Sequence, residues 1–118
     1  MPELVPAPTR IPVPGGKVID EYVGRVTTGT TVVSVAHMTA PGGWAEPAQA
    51  PEFDEFTVVL TGSVVVEHDG GLLDVAAGQA VVTRAGERVR YSVGAEGATY
   101  VAVCVPAFGP ELAHRDEG

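Results

Sequence analysis

Apolar and polar residues alternate in short runs along this chain, and nowhere do apolar residues hold the three-to-four spacing of a helical face. Runs rich in valine and threonine at 17–26, 30–39, 55–60, 63–67, 72–75, 80–83, 88–93 and 99–105 read as strands. Turn residues separate them: Pro14-Gly15-Gly16, Pro41-Gly42-Gly43, Thr61-Gly62, Ala77-Gly78 and Ala85-Gly86. Asp69-Gly70 is a hairpin signal, because both central turn positions favour positive φ. Eight short strands at this spacing predict an all-β sandwich or barrel.

The two ends differ from the middle. Pro2, Pro6, Pro8, Pro12 and Pro14 cannot donate ladder hydrogen bonds, so 1–14 reads as a proline-rich arm or a sheet edge. Residues 15–106 make up the barrel, and 107–118 form a polar C-terminal tail. Within that tail, 110–114 is expected to make a short turn or helix across the barrel mouth. A chain of 118 residues fits one domain with one core.

Composition narrows the partners. Fifteen acidic against seven basic residues give a net charge of -8, which argues against a nucleic-acid backbone and against an anionic membrane surface. The single cysteine, Cys104, excludes a disulfide within the chain and sits in the apolar run 100–105, where it reads as a core thiol. No secretory leader is visible and no apolar run reaches the ~20 residues of a membrane span, so a soluble, cytoplasmic protein is expected. No P-loop, GxSxG, CxxC or HExxH pattern is present.

Two spaced blocks carry the chemistry. In the first, Gly43, Gln49, Pro51, Glu55 and Gly62 stand in a glycine-bounded frame. In the second, Gly78, Arg84-Ala85-Gly86, Val89 and Val93 do. These blocks resemble the two motifs of the cupin superfamily, whose fold is a double-stranded β-helix, a jelly-roll barrel. The resemblance covers about residues 30–106 and is most similar to the ethanolamine-utilisation Q-type and polyketide-cyclase-like cupins that lack a full ligand set. The family holds a metal with two histidines, a glutamate and a third histidine. Here Glu55 keeps its place, while Gln49, Pro51 and Val89 stand where the histidines belong. One carboxylate and one amide make a poor site for a divalent ion, so no cofactor is expected.

The family position of Glu55 implies that it points into the barrel. Strand alternation then sends Phe53, Thr57 and Val59 inward with it. An inward Val89 takes Glu87 and Tyr91 with it and leaves Arg88 and Arg90 outside. A carboxylate among apolar side chains loses hydration, and its pKa rises towards neutrality, as a general acid or base requires. The alternative is a buried glutamate satisfied by Tyr91, Gln49 or backbone donors. Glu55, Tyr91 and His37 are the candidate catalytic residues, although a lone histidine on an apolar strand such as His37 is more often structural. Gln49, Glu52, Trp44, Phe53 and Val89 are the candidate substrate-binding residues; Trp44 serves equally as a cap on the core or a dimer contact.

The expected function follows from that pocket. It is a metal-independent isomerase, epimerase, dehydratase or cyclase acting on a small molecule, with Glu55 moving the proton. The alternatives are a non-catalytic ligand-binding or sensing barrel, and a cupin with a rewritten metal site. A homodimer is expected through outward apolar positions such as Phe56, Val58 and Leu60.

Overall fold

A computed structural model describes residues 1–116, so 117–118 of the expected tail lie outside the described residues. Seven strands and one short helix follow in order. They are β1 (Thr9–Ile11), β2 (Val18–Val23), β3 (Ser34–Ala40), β4 (Asp54–His68), β5 (Gly71–Ala76), β6 (Ala80–Thr83), β7 (Arg90–Val105) and α1 (Pro110–Ala113). All pairings are antiparallel, in the order β1-β2-β3-β7-β4-β5, with β6 on the other edge of β4. This is the all-β double-stranded β-helix, and α1 is its one helix among the described residues.

Two long strands organise the barrel. The sequence reading breaks each of them in two, at Thr61-Gly62 and at 94–98, where turn residues interrupt the apolar alternation. The structure carries the chain straight through both places. The first half of β4 pairs with the last part of β7 and with β6, and its second half pairs with the start of β7 and with β5. Register shifts between Val59 and Thr61 and between Gly62 and Val64 bend the ladder at the crossing. Gly62 lies there at φ 73°, and a Cβ on it would meet the Gly97 carbonyl oxygen at 2.1 Å. The glycine therefore marks a close backbone crossing and not a turn, which is why it misleads a reading of local sequence.

Within the expected arm, β1 pairs with β2 at the edge of the sheet, Thr9 opposite Glu21 and Ile11 opposite Ile19. The core divides into two clusters. Val59, Val64, Val66, Val89, Tyr91 and Tyr100 belong to the larger one, inside the closed part of the barrel. Phe53, Cys104 and Ala113 form the smaller one, with Phe108 and Leu112 packed on it. Phe53 and Phe108 meet edge to face at 5.8 Å between ring centroids. The smaller cluster seats α1 at the barrel mouth. Among the described residues no helix is long and apolar enough to cross a membrane.

Gly62→Ala is expected to cost about 3 kcal/mol, because it combines positive φ with a backbone clash. Gly43→Ala, at φ 76° with open space around it, is expected to cost about 1 kcal/mol. Urea unfolding midpoints of the two variants measure the difference, and equal losses would contradict the close-crossing account.

Candidate functional site

Alternation along β4 places Phe53 before the strand and Glu55, Thr57 and Val59 within it on the inner face; Phe53, Thr57 and Val59 are almost wholly buried. Glu55 is only half-buried, because it lines a narrow cleft that opens at the barrel mouth. Lys17, Glu46, Gln49, Phe108 and Arg115 line the same cleft, with Cys104 behind them. Its enclosed space is about 40 Å³, which water fills and a nucleotide does not. A second recess of about 160 Å³ adjoins it, sharing Lys17, Ile19, Glu46 and Arg115 and adding Trp44.

The cleft is a cluster of two acids and two cations in apolar walls. Burial pushes the Glu55 carboxyl up to about 7, the Glu46 charge pushes the same way, and Lys17 and Arg115 oppose both. Burial also raises the Glu46 carboxyl, against the pull of Lys17, Arg115 and Arg90. Lys17 loses hydration in turn, and its ammonium is held below the usual lysine range, with Glu46 and Glu55 countering. Its Nζ lies 4.2 Å from the centre of the Trp44 ring, a cation–π contact that helps to offset that burial. Glu46 Oε2 is buried without a hydrogen-bond partner; Arg115 Nε stands 3.7 Å away, an ion pair rather than a hydrogen bond.

Arg115 reaches the cleft because the C-terminal segment folds back over the mouth. The Glu52 amide donates to the Leu112 carbonyl at 2.9 Å, and the Asp116 amide donates to the Ala48 carbonyl at 2.8 Å. Arg115 Nε donates to Gln49 Oε1 at 3.1 Å, and its guanidinium lies 5.8 Å from the centre of the Phe108 ring. Outside the cleft, His114 pairs with Glu52 and Arg88 with Asp116.

The other expected site residues scatter. His37 is on β3 with the opposite parity to Ser34, Ala36 and Met38, which line the cleft, so it faces the outside of the sheet. Glu52 is exposed and bound to His114, away from the acids. Tyr91 is buried, and its hydroxyl shares a 2.9 Å hydrogen bond with Thr83 Oγ1. Burial and the nearby Glu55 charge raise its pKa well above the usual tyrosine range, so it is a neutral wall group. Val89 is packed in the larger core, and its backbone pairs with Gln49 in both directions at 2.8 Å. Glu87 does not point inward: β7 begins only at Arg90, and the Glu87 carboxylate accepts from the Arg84 amide in an exposed turn. Arg84 and Arg90 face outward, with Asp54 at 3.6 Å and Glu67 at 3.5 Å respectively.

Sequence reasoning left out Lys17 and Arg115. Lys17, Ile19 and Glu21 share one parity, and all three line the cleft, so alternation through 17–21 was a usable signal. Arg115 and Glu46 are brought together by the fold-back of the tail; the turn at 110–114 was expected across the mouth, but the local pattern does not say which later side chain enters the cleft. At the places where the cupin motif puts metal ligands, Gln49 is engaged by Arg115 and the Val89 side chain is in the core. Among the described residues no three His, Cys, Asp or Glu side chains converge as a ligand set, and these donors do not fit a divalent ion.

Comparison with known proteins bears on the fold and the function separately. The chain is 49% identical over 107 residues to a Myxococcus xanthus (strain DK1622) protein named Endoribonuclease YbeY. The match covers 90% of this chain but 36% of that protein, so the chain spans about a third of its relative. No family model matches the chain. Bacillus subtilis oxalate decarboxylase superposes with a TM-score of 0.77 at 17% identity, over 92% of this chain and 30% of that one. A structural-genomics protein of unknown function from Rhizobium leguminosarum bv. viciae 3841 gives 0.65 at 22% identity, over 79% and 84%. A Salmonella typhimurium protein provisionally assigned as ethanolamine utilization protein Q gives 0.62 at 19%, over 78% and 71%. These neighbours support the cupin fold and, at such identities, nothing finer.

The Myxococcus relative corrects the functional expectations. A protein named for cutting RNA conflicts with an isomerase, epimerase, dehydratase or cyclase and with a small-ligand sensor. It also conflicts with the expectation of no nucleic-acid partner, which rested on the net charge of -8 over the whole chain.

The raised Glu55 carboxyl links stability to pH. In the unfolded chain it titrates near its ordinary 4.5, and in the folded protein near 7, so between those values the folded state binds more protons. Its favourable contribution is complete below about pH 4.5 and is lost as pH rises through 7, a loss of at most about 3 kcal/mol. Glu55→Gln is expected to remove most of this slope and to be more stable than the parent at pH 8. Unfolding midpoints from pH 4.5 to 8 measure it, and parallel curves for the two proteins would contradict it.

Proposed function

We propose that this chain acts on RNA as a unit of an endoribonuclease, and that the Glu55 cleft is where it engages a phosphodiester. The observation that carries the reading is the 49% identity, over nearly the whole chain, to a protein named as an endoribonuclease. The cleft adds chemical support, since it joins an acid–base group poised near neutrality with two cations. RNA supplies its own nucleophile. Glu55 takes the proton of a ribose 2′-hydroxyl, the 2′-oxygen bonds to the adjacent phosphorus, and the bond to the 5′-oxygen breaks. Lys17, whose lowered pKa makes it a better proton donor, protonates the departing oxygen, and Arg115 faces the charge that gathers on the phosphoryl oxygens. Proton transfer in this scheme is assigned to side chains alone. The products are a 2′,3′-cyclic phosphate and a 5′-hydroxyl.

A second reading makes the chain a non-cleaving partner of a nuclease unit. It is favoured by the 36% share of the relative that the chain spans and by the net charge of -8, which is weak equipment for holding a long RNA. Under either reading we propose a kinship with the ligand-poor cupins of the ethanolamine-utilisation Q type, supported by Gln49, Pro51 and Val89 at the motif positions.

The test incubates the chain and its Glu55→Gln variant, purified identically, with a labelled single-stranded RNA. Cleavage to cyclic-phosphate ends by the parent, about 100-fold slower in the variant, is expected. Equal rates would remove Glu55 from the chemistry. RNA bound but uncut by both proteins would select the second reading.

A further inference from the structure

We infer that residues 107–116 form a movable strap which must open to admit substrate to Glu55 and which carries Arg115 as the phosphate-binding side chain. This rests on the RNA reading for the identity of the substrate, but the strap itself is argued from geometry. The space beside Glu55 is about 40 Å³ and opens on the recess of about 160 Å³, together less than the roughly 300 Å³ of a small-molecule pocket, so a ribose phosphate needs the mouth to widen before it reaches the carboxylate. Phe108 and Arg115 both line the closed cleft, and both belong to this segment. The β-sheet walls cannot yield, because β3, β4 and β7 are tied by continuous ladders. At its root the strap is anchored, by the Ala107 amide to the Thr31 carbonyl at 3.1 Å, the Phe108 amide to Ser34 Oγ at 2.9 Å and Arg25 Nε to the Ala107 carbonyl at 3.2 Å, so this end acts as the hinge. Beyond it, two ties are backbone hydrogen bonds, from the Glu52 amide to the Leu112 carbonyl and from the Asp116 amide to the Ala48 carbonyl. Two more are exposed side-chain pairs, His114 with Glu52 and Arg88 with Asp116. Such exposed pairs contribute little each.

Arg115 suits a double task. In the closed state its guanidinium is satisfied by Gln49 Oε1 at 3.1 Å and faces Glu46 Oε2 at 3.7 Å. Neither partner engages both edges of the planar fork, so a phosphate that offers two oxygens competes well for it. A substrate held this way fills the widened mouth and fixes the strap against it through Arg115, so substrate and strap together shield what lies beneath.

Cys104 reports the motion without any assay of cleavage. It is the chain's single cysteine, is buried, and packs with Phe53 and Ala113 directly beneath the strap. The double variant His114→Ala/Asp116→Ala cuts both exposed ties and leaves every cleft residue in place. Alkylation of Cys104 by iodoacetamide under native conditions is expected to run about fivefold faster in that variant than in the parent. Low urea is expected to leave the rate nearly unchanged, since local opening exposes little surface. Equal rates, or a rate rising with urea as steeply as global unfolding, would overturn the strap. In the second arm a single-stranded oligouridylate is added to the parent and to Arg115→Ala. Slower alkylation in the parent and no protection in Arg115→Ala is expected. An oligonucleotide without effect on the parent, while the double variant still reacts faster, would overturn the phosphate role of Arg115 and the RNA reading with it, leaving the strap standing.

Discussion

The site depends on one electrostatic constraint: two carboxyl groups, Glu55 and Glu46, are enclosed in the same apolar cleft. An ionised carboxylate in such surroundings is costly unless it is paired, and two of them repel. The fold answers by bringing Lys17 from the start of β2 and Arg115 from beyond α1 to the same place. The cations do not cancel the burial. They leave Glu55 near the midpoint of its titration at neutral pH, which is the condition under which one group both accepts and returns a proton. The cluster therefore links the packing of the barrel mouth to its chemistry.

That linkage explains why the barrel is asymmetric. The closed half is filled by valines and two tyrosines and is sealed. The half with the charges is closed by a small cluster in which only Phe53, Cys104 and Ala113 are fully buried, and its lid is secured by a few hydrogen bonds. A cavity built to hold charge is a weaker hydrophobic core, and the tail compensates by covering it. Stability and access thus oppose one another at the mouth, as is usual where a site needs both dryness and entry.

Much of the barrel was legible from sequence. The resemblance set the parity of Glu55, and alternation from it placed Phe53, Thr57 and Val59 inside, although Phe56, Val58 and Leu60 on the opposite face are the more apolar set. What local pattern could not reach were the long-range meetings. Gly62 and the glycines at 94–97 resemble turns, yet they mark where two continuous strands cross closely. His37 looked like a site residue by its nearness to the motif, but parity on β3 turns it away. The turn of 110–114 across the mouth was expected and α1 forms there, but the side chain that the fold-back delivers, Arg115 onto Gln49, was not singled out. The expectation of no nucleic-acid partner, which conflicts with the name of the Myxococcus relative, rested on net charge, a sum over positions that says nothing of any one site.

Everything at the barrel mouth turns on a Glu55 carboxyl that titrates close to neutrality. Carbon-13 NMR of side-chain carboxyl groups, followed from pH 3 to 9 in the parent and in Glu55→Gln, tests it directly. The account predicts a carboxyl resonance with a midpoint near 7 in the parent that is missing from the variant. A Glu55 resonance that titrates at the ordinary glutamate value, near 4.5, would contradict it.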